Sequence, residues 1–161
     1  MNIAIGADCY GFDLKEAIKV YLLSQKHELQ DVGISAGDSK TPYYETASLV
    51  ANLVGTQQVE RGVLICGTGM GMAIVANKFP GVYAAVCENT HAAKKSRSIN
   101  NSNVLTLGGM FTTPILAQDI LETWLMTGFT QDWEPDIQTW LEHSMKDIAE
   151  LEIAQFKAQL K

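Results

Sequence analysis

Short apolar runs alternate with longer amphipathic stretches along most of this 161-residue chain. The apolar runs predict five strands, over residues 2–5, 28–32, 63–65, 82–86 and 104–107. The amphipathic stretches predict helices over residues 12–25, 43–53, 70–78, 90–98 and 112–126. Strands that are separated by helices pair in parallel, and the helices then cover both faces of the sheet. The alternation therefore predicts an α/β fold in three layers around a five-stranded parallel sheet.

The pattern changes after Gly128. A polar segment with several acidic residues leads into residues 136–160, which predict one long polar helix. The apolar side chains of this helix form a broken stripe, made of Ile137, Leu141, Ile148, Leu151, Phe156 and Leu160. We therefore predict a core domain over residues 1–130 and an added C-terminal helical extension over residues 131–161, packed on the same subunit or on a partner subunit.

The charge of the chain excludes several classes of partner. With 12 basic and 18 acidic residues, the net charge is -6 and the isoelectric point lies near 5.0. Such a chain has no general attraction to nucleic acid or to an anionic membrane. Lys94, Lys95 and Arg97 form the one basic cluster, and a solvated helix face explains it. We expect neither a nucleic-acid partner nor a membrane partner.

The cysteines and the N-terminus indicate a reducing compartment. Cys9, Cys66 and Cys87 are odd in number and stand at no metal-ligand spacing, and the sequence has no HExxH, CxxC or carboxylate cluster. The N-terminus enters a strand without a basic stretch, a long apolar run or a cleavage site. We therefore expect a cytoplasmic protein with reduced thiols and no metal.

The segment 62–80, GVLICGTGMGMAIVANKFP, carries the strongest chemical signal. A buried strand ends at Cys66, and a glycine-rich turn leads from it into a helix. Three glycines, Gly67, Gly69 and Gly71, allow the backbone amides to point into one concavity, where they can hold an oxyanion. The same amides and the positive end of the helix bias the thiol toward thiolate. The alternative is that Cys66 is a small buried hydrophobe and the glycines serve only the turn.

Nucleotide binding is a minor alternative for this segment. The chain has no GxxxxGK[ST], and CGTGMG lacks an acidic residue at the end of a following strand at the distance that a dinucleotide site requires.

Other candidates follow the remaining strands, because ligands of open α/β sheets collect at the carboxyl ends of the strands. Asp8 follows the first strand, where it aligns a substrate hydroxyl or caps the next helix; the residues alone leave both roles open. The polar loop 34–42 follows the second strand and can edge a site. Cys87 has no glycine loop beside it, so we expect it to be buried packing.

Three segments carry a resemblance to a known family. They are the opening IAIGAD with Gly11 and Lys15, the run ICGTGMGMAIVANKFPGV, and SRSINNSNVLTLGG. Over residues 1–128 the chain resembles the family of ribose 5-phosphate isomerase type B and galactose 6-phosphate isomerase. The resemblance implies a cofactor-independent aldose–ketose isomerase with a Rossmann-like fold, acting on a small sugar or sugar phosphate. It also implies a homodimer or higher homo-oligomer with sites at the subunit interface.

The resemblance assigns roles to individual residues. Cys66 matches the base that moves a proton between two substrate carbons, and Thr68 matches the hydroxyl beside it. The remaining matches are substrate-binding positions: Asp8, Cys9, Gly67, Gly69, Gly71 and Asn100. An isomerisation through an enediolate needs one base and one oxyanion cradle, which agrees with the chemistry of the glycine-rich segment.

Departures from the family pattern concern the substrate. Ile99 stands where the family has its ring-opening histidine, Cys9 replaces another histidine, and Met110 replaces an arginine. The C-terminal arginine pair has no counterpart, since Arg61 and Arg97 are the only arginines of the chain. These departures predict that ribose 5-phosphate is disfavoured and that an open-chain, unphosphorylated or acidic sugar is preferred. Two alternatives stay open: a sugar phosphate held by lysines or amides, and a catalytically weak subunit of a hetero-oligomer.

Overall fold

The computed structural model describes residues 1–159 and confirms the predicted five-stranded parallel sheet. Every pair of neighbouring strands is parallel, and their order across the sheet is β2-β1-β3-β5-β4. The strands are β1 (Asn2–Ala7), β2 (Glu28–Asp31), β3 (Arg61–Cys66), β4 (Ala84–Val86) and β5 (Val104–Gly108).

Helices cover both faces of this sheet, as the Rossmann-like prediction requires. They are α1 (Phe12–Ser24), α2 (Tyr43–Gly55), α3 (Met70–Ala76), α4 (Thr90–Ser98), α5 (Pro114–Met126) and α6 (Pro135–Gln159). Alternate residues of the central strand β3 enter two separate cores. Val63 and Ile65 pack with α1 and α5 on one face, while Leu64 and Cys66 pack with α2 and α3 on the other. A strand that is buried on both faces reads as an unbroken apolar run, which is why the sequence reveals it.

The strand order creates a crevice at the carboxyl ends of β1 and β3. These two strands are neighbours although the chain visits β2 between them. The helices that follow them, α1 and α3, lie on opposite faces of the sheet, so that their first turns diverge. Such a switch point is where ligands of open α/β sheets bind.

The region around β4 differs from its predicted bounds. α3 ends at Ala76, and β4 begins at Ala84 instead of residue 82. The side chain of Asn77 explains both limits, because it pairs with the backbone of Ala84: Nδ2 donates to the Ala84 oxygen at 2.9 Å and Oδ1 accepts from the Ala84 nitrogen at 2.8 Å. A side-chain amide thus takes the place of a neighbouring strand at this edge of the sheet.

The long C-terminal helix packs on the domain with only part of its apolar stripe. Leu141 is buried, and the Glu152 carboxylate accepts a hydrogen bond from the Gly81 nitrogen at 2.9 Å. Leu151 and Phe156 are exposed, whereas Leu160 lies outside the described residues. None of the helices within residues 1–159 combines the length and the apolar character needed to cross a membrane.

The prediction of a solvated basic face on α4 is wrong for Arg97. This side chain is 5% exposed, and its guanidinium donates to the Thr127 oxygen, to the Ser102 oxygen and to Asn101 Oδ1. Burial, and secondly the charge of Arg61, lower the pKa of Arg97 to about 10. Arg97 therefore holds α4 to the start of β5 and to the end of α5.

Candidate active site

Cys66 ends β3 at the crevice and is 5% exposed. Its Sγ accepts a hydrogen bond from the backbone nitrogen of Gly69 at 3.1 Å. Gly69 adopts a left-handed conformation with φ of 76°, and a Cβ at this position would meet the Leu107 backbone at 3.0 Å. Glycine is therefore required at this position for the turn to bring its amide onto the sulfur.

The other two glycines of the turn let large side chains approach it. A Cβ at Gly67 would lie 2.9 Å from Cε of Met110, and a Cβ at Gly71 would lie 2.9 Å from the ring of Tyr43. The sequence places Tyr43 and Met110 only near the ends of the second and fifth strands. Their contacts with the turn depend on tertiary structure, so sequence reasoning missed them.

Thr68 lies on the outer side of the turn. It is exposed, and its Oγ1 accepts a hydrogen bond from the Met70 nitrogen at 3.3 Å. The hydroxyl is thus two residues from the thiol and reachable from solvent.

Asp8 follows β1 and is brought beside the end of β3 by a backbone hydrogen bond from its nitrogen to the Ile65 oxygen at 3.2 Å. Its Oδ1 accepts from the nitrogens of Tyr10 and Gly11, at 2.9 Å and 3.1 Å. Burial raises the pKa of Asp8, and the hydrogen bonds from Gly11 and Tyr10 oppose that rise.

The carboxylate of Asp8 orders the loop that precedes α1. The N-cap residue of α1 is Gly11, and no side chain caps this helix. Gly11 lies so close to β3 that a Cβ there would meet the Ile65 oxygen at 2.2 Å. The predicted alternative, in which Asp8 caps the helix, is therefore wrong. Its side chain accepts from the nitrogens of Tyr10 and Gly11, which precede the first helical residue, Phe12.

The two remaining cysteines differ in environment. Cys9 is exposed beside Asp8 at the crevice. Cys87 is buried, its Sγ lies 3.7 Å from the Ser96 hydroxyl, and burial raises its pKa. The prediction that Cys87 is buried packing is confirmed.

Asn100 lies at the opposite edge of the sheet from Cys66. Cys66 pairs with Gly108 at the carboxyl end of β5, whereas Asn100 is exposed in the turn that precedes Val104 at the amino end of the same strand. Within one chain the structure thus brings together Asp8, Cys9, Cys66 and the glycine-rich turn, and leaves Asn100 apart.

Lys15 and Asp38, two charged groups on the elements around the crevice, have partners within the chain. The Lys15 ammonium is buried, where it binds the Asp31 carboxylate at 2.8 Å and the Glu16 carboxylate at 2.9 Å. Asp38 closes the loop 34–42 by accepting hydrogen bonds from the Thr41 hydroxyl and from the Lys40 and Thr41 nitrogens. Among residues 1–159, no group of three or more His, Cys, Asp or Glu side chains is arranged to hold a metal ion.

Comparison with known proteins places this geometry in a family. Residues 3–138 match the model of the Ribose/Galactose Isomerase family. A 4-deoxy-4-sulfo-D-erythrose isomerase from Clostridium sp. (strain MSTE9) is 45% identical over 152 residues, which are 94% of this chain and 96% of that protein. A D-erythrulose-4-phosphate isomerase from Pectobacterium atrosepticum is 38% identical over 129 residues, which are 80% of this chain and 85% of that protein.

A solved structure agrees with the same assignment. The ribose-5-phosphate isomerase B of Clostridium thermocellum superposes with a TM-score of 0.87 at 36% identity, over 96% of this chain and 99% of that one. The chain belongs to the ribose/galactose isomerase family and is an aldose–ketose isomerase.

Proposed function

We propose that this chain interconverts an open-chain aldose and ketose that carry a terminal anionic group, with Cys66 as the base. The observation that carries the proposal is the hydrogen bond from the Gly69 nitrogen to Cys66 Sγ at 3.1 Å, at the end of a central strand. It fixes the sulfur in a turn that also presents backbone amides. One base beside one set of amide donors is sufficient for an enediolate reaction.

The chemistry follows from these groups. The Cys66 thiolate removes the proton from C2 of the aldose, the electron pair forms a C1–C2 double bond, and the carbonyl electrons move onto O1. The backbone amides of Gly67 and Gly71 stabilise the negative charge on the enediolate, because the Gly69 amide hydrogen is already donated to Cys66 Sγ. The proton of O2 passes to O1, and the thiol returns its proton to C1, which gives the ketose.

Asp8 and Thr68 act on the hydroxyls of the substrate in this proposal. The Tyr10 and Gly11 nitrogens both bond to Oδ1 of Asp8, which leaves Oδ2 for a sugar hydroxyl. Thr68 is exposed on the turn, where its hydroxyl is able to contact O1 or O2. Cys9, exposed next to Asp8, lines the same side of the crevice.

The absence of a ring-opening histidine at Ile99 favours a sugar that cannot close a ring, such as a four-carbon sugar that is modified at C4. A tetrose closes a five-membered ring only through its C4 hydroxyl, and both the 4-deoxy-4-sulfo and the 4-phosphate compounds named for two relatives lack that free hydroxyl. Such a sugar is open-chain without enzymatic help. A half-buried apolar Ile99, in place of a ring-opening acid or base, suits this substrate.

The charge of the site favours a sulfonate over a phosphate. A sulfonate carries one negative charge, whereas a phosphate ester carries close to two at neutral pH. Arg97 is buried and engaged with Asn101, Ser102 and Thr127, and Lys15 is engaged with two carboxylates. Because a dianion needs several cationic partners, the substrate that these observations favour is a four-carbon sugar sulfonate.

We also propose that the active unit is a homodimer or a higher homo-oligomer whose interface borders the site. Large apolar side chains are exposed around the crevice, namely Tyr10, Met70, Met110 and Phe111. Asn100 lies too far along the sheet to serve Cys66 of its own chain, so in this proposal a second copy supplies it. The exposed Leu151 and Phe156 of α6 are then covered by the partner subunit.

The test compares kcat/KM of the purified chain for 4-deoxy-4-sulfo-D-erythrose, D-erythrulose 4-phosphate and ribose 5-phosphate. We expect the sulfonate to rank first and ribose 5-phosphate last. A clear preference for ribose 5-phosphate contradicts the substrate proposal. No turnover of any of the three by the chain alone favours the catalytically weak subunit instead.

The proposed homo-oligomer has its own test in light scattering. A single 17.6 kDa species in micromolar solution contradicts that proposal.

A further inference from the structure

A second cavity lies at the amino edge of the sheet, remote from Cys66. Its volume is about 370 Å³. Residues 57–61 of the turn before β3 form one wall, Asn101 and Asn103 of the segment before β5 form another, and Asn2 lies at the start of β1. Volumes of this size accommodate small organic ligands. The reaction proposed above uses none of its lining side chains.

Arg61 is the cation of this cavity. It is half-buried, and one of its nitrogens, Nη1, donates to the Glu60 oxygen at 2.7 Å. Within residues 1–159 no carboxylate lies at ion-pair distance from its guanidinium. The Glu60 carboxylate instead accepts a hydrogen bond from the Asn2 nitrogen at 3.1 Å. Burial lowers the pKa of Arg61. The negative charge of Glu60 raises it, but this effect is the smaller of the two.

Arg97 adds a second positive charge behind the wall of the cavity. Its guanidinium donates to Asn101 Oδ1 at 2.9 Å, and Arg61 is near enough to contribute to the lowered pKa of Arg97. Arg61 lines the cavity, whereas Arg97 lies behind Asn101 and does not line it. An anion bound beside Arg61 would offset the cost of burying its positive charge.

Asn101 completes the set of donors. Its backbone is in the left-handed region with φ of 48°, and its Oδ1 is oriented by Arg97. Asn101 lines the cavity, and its Nδ2 group makes no hydrogen bond to any of residues 1–159. Asn103, by contrast, already uses its side-chain amide within the chain. Its Oδ1 accepts from the Tyr83 nitrogen and its Nδ2 donates to the Gly81 oxygen, so Asn103 lines the cavity without offering a free donor.

We propose that this cavity is a binding site for a compact oxyanion, the carboxylate, sulfonate or phosphate of a small molecule. Arg61 is its main cation and the Asn101 amide a second donor. A planar guanidinium beside an amide donor suits any of these groups, because each presents two or more acceptor oxygens. Within one chain the cavity lies apart from Cys66, and its existence does not depend on the proposed substrate.

The test is a titration of the full chain with sodium sulfate or sodium phosphate at constant ionic strength, with chloride as the balancing salt. Proton–nitrogen NMR follows the Arg61 side chain and the backbone of residues 101–103. We expect saturable shifts at these signals with either oxyanion. Addition of 4-deoxy-4-sulfo-D-erythrose to Cys66→Ala protein, which is expected not to turn it over, shows whether the sugar sulfonate also reaches this site.

Three variants decide the outcome. Arg61→Gln is expected to weaken oxyanion affinity at least about tenfold, and Arg61→Lys, which keeps the charge, is expected to weaken it less. Lys40→Gln removes one positive charge from an exposed loop outside the cavity and is expected to leave the affinity unchanged. Shifts confined to the turn 67–71, an absence of saturation, or equal effects of Arg61→Gln and Lys40→Gln each overturn the proposal.

Discussion

The Met110 side chain lies directly over the α-carbon of Gly67. The Met110 nitrogen donates to the Gly67 oxygen at 3.1 Å, and Cε stands 2.9 Å from the position that a Cβ at Gly67 would take. Met110 as a whole is 63% exposed. A neutral, adaptable side chain therefore covers the turn that follows Cys66, next to the proposed substrate site.

Met110→Arg is expected to shift the substrate preference toward phosphate. A guanidinium at this position supplies charge-assisted hydrogen bonds to a dianion, so the ratio of kcat/KM for D-erythrulose 4-phosphate to that for the sugar sulfonate should rise roughly tenfold. Met126→Arg is the matched control, since Met126 is exposed at the end of α5, away from the turn. An equal rise in both variants would trace the effect to overall charge.

Cys66→Ala is expected to lower the rate of isomerisation by about 10²-fold to 10⁴-fold, because the Cys66 thiolate is the proposed base. Deuterium exchange at C2 of the substrate measures the proton transfer directly. Cys87→Ala removes another buried thiol outside the crevice and should keep the exchange rate. If Cys66→Ala protein exchanges as fast as the parent, a different group is the base.

Gly69→Ala is expected to reduce both stability and activity. A left-handed alanine costs roughly 1–2 kcal/mol, and at this position the new Cβ also meets the Leu107 backbone and displaces the amide from Cys66 Sγ. Gly81 has a similar φ of 74°, but its Cβ would meet only the Gly55 oxygen at 3.9 Å. Gly81→Ala is therefore the matched control. Urea unfolding should show a lower free energy of unfolding in both variants, whereas kinetics should show lower activity in Gly69→Ala alone.

Asp8→Asn is expected to remove a pH-dependent destabilisation. Burial raises the pKa of Asp8, so the folded chain holds this proton more tightly than the unfolded chain does. The contribution of Asp8 to the free energy of unfolding is therefore fully present below the unfolded pKa and is lost as pH rises through the folded pKa.

The measurement is urea unfolding of both proteins at about pH 3 and about pH 7, on either side of the range in which the contribution is lost. Relative to wild type, Asp8→Asn should be more stable at the higher pH than at the lower one, while its kcat/KM falls at both. A stability difference that stays constant across this range would show that burial of the Asp8 carboxylate is not coupled to folding.

The sequence predicts the parallel sheet, and it places Asp8 and Cys66 of the candidate site together, for a physical reason. β3 is buried on both faces, so its apolar run is unbroken, and strands that pair in parallel must end at a common edge. Asp8 and Cys66 follow neighbouring strands, which is enough to place them together. The contacts of Met110 with Gly67 and of Tyr43 with Gly71 join segments far apart in sequence, and no local pattern encodes them.

Arg97 and Asn100 show two further features of the structure that the sequence alone does not reveal. The spacing of charges on the short helix α4 does not reveal which side faces α5, so the burial of Arg97 is visible only in three dimensions. A motif match places Asn100 in a family site, but a motif does not say whether the side chain serves its own chain or a second copy.

The Asn77 amide has a consequence for how copies of this protein meet. Because it fills the hydrogen-bonding positions of Ala84, the outer strand β4 offers no complete row of donors and acceptors to a foreign strand. Sheet-to-sheet fusion at this edge, the route by which many β-rich surfaces aggregate, is thereby blocked by one side chain. Substitution of Asn77 by leucine would reopen that route, and slow fibril-like association at high concentration would be its sign.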